Sequence, residues 1–223
     1  MSLILSIDTA LDTASICLSR GEEELGIGKN PEQKDHASWL HPAIQTILTQ
    51  HQLKPTDLSA VAVTIGPGSY TGLRVGLSTA KGLCYALGVP LIAVGTLKMI
   101  AYSVKEMAED LICPLIDARR MEVYMGLFDS YCNEIQAPSS AIITQQFLDN
   151  ILAEHRVLFC GPGTVKLEPQ LTHKHATFAT VEATASHLSK IALQHYVHEQ
   201  FADLVSTSPL YVKEFFSTQQ RLQ

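Results

Sequence analysis

Two stretches of this chain follow one plan. LILSIDTALDTASICLS, from Leu3, and LICPLIDARRMEVYMGLFD, from Leu111, each run an apolar strand into Ile-Asp, insert four residues and start a second strand. The aspartates are Asp8 and Asp117, and the inserted residues are TALD and ARRM. Connections this short suit antiparallel hairpins. One such hairpin opening each half of a 223-residue chain predicts two related lobes, with a boundary near residues 95–110. The expected division is 1–100 for an N-terminal lobe and 101–223 for a C-terminal lobe, whose last helix packs back on the first.

The segments between the hairpins fill in an α/β order. Glu22 to Ile27 extends the first hairpin into a meander. A helix follows, capped by Asp35 or Ser38, with Leu40, Ile44, Ile47 and Leu48 on one face at a 3.6-residue period. Pro42 fits easily only in a first turn, so a start at Asp35 predicts a bend. Ala60 to Ile65 reads as a short strand entering the loop GPGSYTG. From Thr71 to Leu87 a helix is expected, closed by Gly88 and prevented from continuing by Pro90. Leu91 to Val94 then reads as a strand and Thr96 to Ala108 as a helix. In the second half, Ile142 to Leu152 and Thr180 to Gln194 read as helices, and Val157 to Cys160 as a strand. Mixed sheets flanked by helices fit this order better than a purely parallel doubly wound sheet. A dinucleotide fold wants its glycines directly after the first strand, and IDTALDTAS has none there.

Composition narrows the class. Hydrophobic residues make up 46% and the net charge is -6, a globular profile with no broad electrostatic attraction to nucleic acid. The five cysteines are scattered without a CxxC, as small buried hydrophobes are in a reducing compartment. MSLILSID lacks the basic start and long apolar core of a signal peptide, and no apolar run reaches membrane-span length. Cytoplasmic residence is the expectation.

The run TIGPGSYTGLRVG, Thr64 to Gly76, is the most unusual in the chain. It is not a P-loop: five residues separate Gly66 from Gly72, Leu73 stands where lysine is required, and Lys81 comes nine positions after Gly72. A phosphate nest at Gly68 and Ser69 stays open beside a structural turn or a contact surface. Behind the loop, Gly72, Gly76 and Ala80 recur every four residues, with Thr79 and Gly82 alongside. Such a stripe lets another backbone approach, inside a lobe or across a subunit interface. Arg74 opposes the helix dipole in the first turn, which an anionic or partner-side contact would explain. Asp8 and Asp117 can position a metal–phosphate complex, act as a base, or cap turn amides. Arg119 and Arg120 add cations at the second hairpin. His36 and His41 are five apart, an awkward spacing for shared coordination from a helix, and His173-x-His175 lacks a third ligand nearby. No serine or cysteine sits in a nucleophile elbow. Two classes remain: a small phosphotransfer or hydrolytic enzyme, and a noncatalytic partner that docks through its small-residue helix.

SIDTA at Ser6, TIGPGSYTGLRVG at Thr64 and DARRMEVY at Asp117 together resemble the bacterial TsaB (YeaZ) family, within the wider TsaD/Kae/Qri (M22-like) ASKHA family. The resemblance implies an actin-like (ASKHA, ribonuclease H-like) α/β fold of two lobes, each with a mixed sheet flanked by helices. It implies a noncatalytic scaffold and activator for threonylcarbamoyl transfer to adenosine 37 (t6A) of tRNAs reading codons that begin with A. The implied partners are the catalytic subunit TsaD and the ATPase TsaE, after TsaC has made threonylcarbamoyl-adenylate. A homodimer in isolation, tRNA reached through the complex, and no membrane complete the expectation. ATP and metal would belong to partner subunits, with no intrinsic cofactor. The sister subunit's metal motif is HxxxH, whereas His36-Ala37-Ser38-Trp39-Leu40-His41 has one residue too many, so no metal role carries over. By resemblance the partner contacts are Trp39, Leu40, Ile44, Thr71, Leu73, Arg74, Leu77, Ser78 and Lys81, with Arg74 orienting and the apolar members giving affinity. Asp8, Thr9, Gly68, Ser69 and Asp117 are candidates for a vestigial nucleotide cleft, and no residue is assigned catalysis. The alternative is an independent ATP-binding phosphotransfer or M22 peptidase-like enzyme, motivated by the two aspartates and the fold.

Overall fold

The computed structural model of the chain describes residues 1–32, 35–118, 122–142 and 144–212. The first apolar run forms β1 (Leu3–Asp8), buried along its whole length. It pairs antiparallel with β2 (Ala14–Arg20), Ile7 opposite Ile16 and Asp8 opposite Ser15. β3 (Glu23–Asn30) continues the meander on the outer edge. On the other side of β1 lie β4 (Ala60–Thr64) and then β5 (Leu91–Val94), both parallel to it. The sheet order is therefore β3-β2-β1-β4-β5.

The second half repeats this order. β6 (Leu111–Asp117) pairs antiparallel with β7 (Glu122–Asp129), and β7 with β8 (Glu134–Ile142). β9 (Val157–Cys160) runs parallel to β6, and β10 (Ala176–Ala179) parallel to β9. Read from its meander edge, the second sheet is β8-β7-β6-β9-β10. The two Ile-Asp strands thus occupy the same central place in their sheets, as the shared sequence plan predicts.

Helices cover both outer faces and fill the space between the sheets. α1 (His36–Gln50) and α2 (Tyr70–Leu87) pack on the outer face of the first sheet through Leu40, Ile44, Ile47, Leu48, Leu77, Ala80 and Cys84. α3 (Thr96–Val104) and α6 (Ala185–Val197) lie in the middle layer, where Leu97, Ile100, Leu188 and Ile191 join Ile4 and Ile92 of one sheet to Ile112 and Phe128 of the other. α4 (Gln145–Glu154) and the single turn α5 (Thr164–Leu167) close the far side through Leu148, Ile151, Leu152 and Leu167. No helix among the described residues is long and apolar enough to cross a membrane.

Several boundaries differ from the sequence reading, for physical reasons. β8 is absent from that reading because it is an edge strand paired only with β7, contains Pro138, and breaks register beside it. β10, four residues at the opposite edge, is too short for a period. The predicted helix from Ile142 begins at Gln145, since Ile142 ends β8, and the one from Thr180 begins at Ala185. α3 stops at Val104 and passes into a 3-10 turn, Lys105–Met107. α1 starts after Asp35, so Pro42 lies inside the helix. Ala202 crosses the rim of the first sheet, donating its backbone N–H to Leu91 O at 2.8 Å, and the tail then runs back toward the start of α2.

Candidate docking face and inter-lobe cleft

The glycine loop folds onto the first hairpin. Ser69 caps α2, its Oγ accepting the Gly72 N–H at 3.3 Å, and the Ser69 N–H donates to Ala10 O at 2.8 Å. The Thr9 hydroxyl donates to Gly72 O at 2.7 Å. These contacts require the glycines: a Cβ would stand 2.4 Å from Ala10 O at Gly68, 2.0 Å from Thr9 O at Gly72 and 2.3 Å from Thr9 Oγ1 at Gly76. Of the two uses open to the small-residue stripe, Gly72 and Gly76 serve the lobe interior, and they bring α2 against the end of β1. Gly82 differs, being exposed with nothing within 4 Å of where its Cβ would be.

The five cleft candidates are held in internal contacts. Asp8 is fully buried, with Oδ1 accepting from the Thr64 hydroxyl at 2.6 Å and from the Ala10 N–H at 3.1 Å, while Oδ2 has no partner among the described residues. Burial pushes its carboxyl up to about 6, and the two hydrogen bonds only partly offset this. Thr9, Gly68 and Ser69 are tied into the loop. Asp117, at the equivalent strand end of the second sheet, is exposed and pairs with Lys166 Nζ at 2.6 Å. Arg119 and Arg120 lie outside the described residues. A cavity of about 280 Å³ does open between the lobes, but different residues line it. Leu11, Asp12 and Thr13 of the first hairpin face Gly161, Pro162, Thr164 and Val165, with Ile100 and the segment Ala179 to Ala183 completing the wall. The sequence reading stops one turn short of it, at Asp8 and Thr9.

The histidines diverge or find other partners. His36 is buried and His41, on the same helix, is exposed, so their rings do not converge. His173 and His175 stack edge to face at 5.4 Å, and His175 Nδ1 lies 2.7 Å from Leu152 O.

The nine docking candidates divide by burial. Leu40, Ile44, Leu73 and Leu77 are at most 6% exposed and pack inside the chain. Leu40, Ile44 and Leu77 fasten α1 and α2 to the sheet and Leu73 packs beside the Gly66 turn, so the affinity assigned to them by resemblance has no exposed surface behind it. Thr71, Arg74 and Ser78 are exposed, and Lys81 is half-buried. They line one side of α2 and continue to Gly82 and to Tyr85, which is 83% exposed. Trp39 is half-buried, its ring edge 3.7 Å from where a Cβ at Gly28 would sit. Arg74 already has intramolecular partners that sequence reasoning missed: its guanidinium lies over the Tyr70 ring at 3.9 Å, and Nε donates to the Tyr211 hydroxyl at 2.9 Å. Tyr70, four residues earlier on the helix, is a readable signal. Tyr211, distant in sequence, gives none.

Comparison with known proteins agrees with this arrangement. The family model described as TsaD, tRNA N6-adenosine threonylcarbamoyltransferase, matches residues 18–210. The tRNA threonylcarbamoyladenosine biosynthesis protein TsaB of Bacillus subtilis is 36% identical over 165 residues, covering 72% of this chain and 71% of the relative. The Haemophilus influenzae protein of the same name is 26% identical over 222 residues, covering 94% and 93%. YeaZ from Pseudomonas aeruginosa shares the fold, with a TM-score of 0.78 at 24% identity over 95% of this chain and all of that one. The two Ile-Asp hairpins, the GPGSYTG loop folded on the first of them, and these matches show that the chain belongs to the TsaB (YeaZ) family of tRNA threonylcarbamoyladenosine biosynthesis proteins.

Proposed function

We propose that the chain is a noncatalytic scaffold and activator in threonylcarbamoyl transfer to adenosine 37 of tRNA, docking on TsaD through the exposed side of α2 and working with TsaE. The observation that carries this reading is the division of α2. Gly72 and Gly76 are used up against Thr9, while Arg74, Ser78, Gly82 and Tyr85 stay exposed. A charged, small-residue and aromatic surface on a helix fixed to a rigid sheet suits a protein partner. The groups that would run chemistry in the cleft are otherwise engaged: Asp8 is sealed from solvent and Asp117 is paired with Lys166. ATP and metal then belong to the partner subunits, and tRNA is reached through the complex. In isolation the same helix face pairs two copies of the chain.

Charge reversal tests the docking. Arg74→Glu should weaken the complex with TsaD by about tenfold or more, measured by analytical ultracentrifugation, with the circular dichroism spectrum of the isolated chain unchanged. An undiminished complex would remove α2 from the interface.

A further inference from the structure

The residue that gives α2 its exposed charge is held by a segment 137 positions away in sequence. Besides the 2.9 Å bond from Nε to the Tyr211 hydroxyl, the Arg74 guanidinium lies 5.9 Å from the centre of the Tyr211 ring, and the Tyr70 and Tyr211 rings are 5.1 Å apart. Tyr211 is itself fixed. Leu210 donates its backbone N–H to Ile65 O at 2.7 Å. Gly66 leaves the room for this, since a Cβ there would stand 2.6 Å from Leu210 O. Farther back along the tail, Lys81 Nζ donates to Val205 O at 3.1 Å. The C-terminal segment is thus fastened along one flank of α2.

A guanidinium carries five N–H donors in a rigid fork, and Tyr211 takes only the one on Nε. Among the described residues none hydrogen-bonds the remaining donors, and Arg74 is exposed. An unrestrained surface arginine loses rotamer freedom when a partner binds it. Here two rings and a hydroxyl have already restricted the side chain, so less is lost. The unused edge of the fork matches a carboxylate with two parallel hydrogen bonds. Along the same flank of α2 the tail exposes Val205 at 89%, Tyr211 at 43% and Leu210 at 39%. On a chain of net charge -6, a restrained exposed cation held between two tyrosine rings, with exposed apolar residues along the same flank, complements an acidic residue set in an apolar surround.

We propose that Val205–Val212 is part of the docking face, and that Tyr211 is a positioning residue which sets Arg74 to meet a partner carboxylate. The proposal rests on the reading that α2 docks on TsaD. Its test is the affinity of the full chain for purified TsaD, by titration calorimetry, for wild type, Tyr211→Phe, Arg74→Ala and the double variant. Tyr211→Phe keeps the ring and removes only the hydroxyl, so its melting temperature should match wild type while binding weakens about five- to tenfold. Arg74→Ala should weaken binding by about tenfold or more, and Tyr211→Phe should add nothing on that background, because the two act as one unit. Wild-type affinity in Tyr211→Phe, or an equal loss with and without Arg74, overturns the positioning role and leaves docking intact. A wild-type chain that does not bind TsaD overturns both.

Discussion

Asp8 is a buried acid whose ionisation opposes folding. Its carboxyl rises from an ordinary 3.8 to about 6 through burial, so the folded state binds its proton more tightly than the unfolded state does. Its contribution to stability is therefore most favourable below about pH 4, declines as pH rises to about 6, and is constant above that. Asp8→Asn removes this dependence. Relative to wild type, the variant should gain about 2 kcal/mol between pH 4 and pH 7, read from urea unfolding at several pH values. Parallel profiles for the two proteins would show that Asp8 titrates normally. The glycines give a second residue-scale expectation. With a Cβ only 2.3 Å from Thr9 Oγ1, Gly76→Ala should cost about 2–4 kcal/mol. Thr9→Ala removes the obstructing atom, so the pair should be less destabilised than the sum of the singles, and an additive pair would place the strain elsewhere. That these glycines matter is legible from their four-residue spacing. That they meet Thr9 and Ala10 is not, because the contact joins segments some sixty residues apart.

α2 carries the proposed docking face, and its two sides answer to different constraints. The apolar side reads directly from the sequence, since Leu73, Leu77, Ala80 and Cys84 recur at helical spacing and all are buried. Periodicity marks core and partner surface alike, which is why Leu73 and Leu77 stand among the docking candidates although both are buried within the chain. The exposed side lacks an apolar period, and beyond Arg74's place against the helix dipole and Gly82 beside the small-residue stripe only the resemblance singles it out. Gly82 tests this division. Its added methyl meets nothing in the isolated chain, so Gly82→Ala should raise stability by about 0.5–1 kcal/mol through helix propensity. The same methyl should weaken TsaD binding, because it projects from the proposed docking face. Lower stability in the isolated chain would mean that Gly82 is already covered. Edge strands mark the opposite limit of legibility: β8 and β10 bury too little of their surface for alternation to show.

The whole molecule is one sheet topology used twice, with α3 and α6 between the copies. The duplication is legible because Ile7-Asp8 and Ile116-Asp117 end equivalent central strands, whose burial demands continuous apolar runs. The place of α6 depends on contacts across the chain, such as the Ala185 N–H donating to Ser15 Oγ at 2.8 Å, which no local pattern announces. Here Asp8 is sealed, Asp117 is paired with Lys166, and Arg74 is exposed on α2. The central claim is that this chain enables a reaction performed by its partner. The most direct measurement is t6A formation on tRNA with TsaC, TsaD, TsaE and ATP, with and without the chain. The account predicts product only when the chain is present, undiminished with Asp8→Asn or Asp117→Asn and lost with Arg74→Glu. Full product without the chain, or loss with Asp8→Asn in an intact complex, would contradict it.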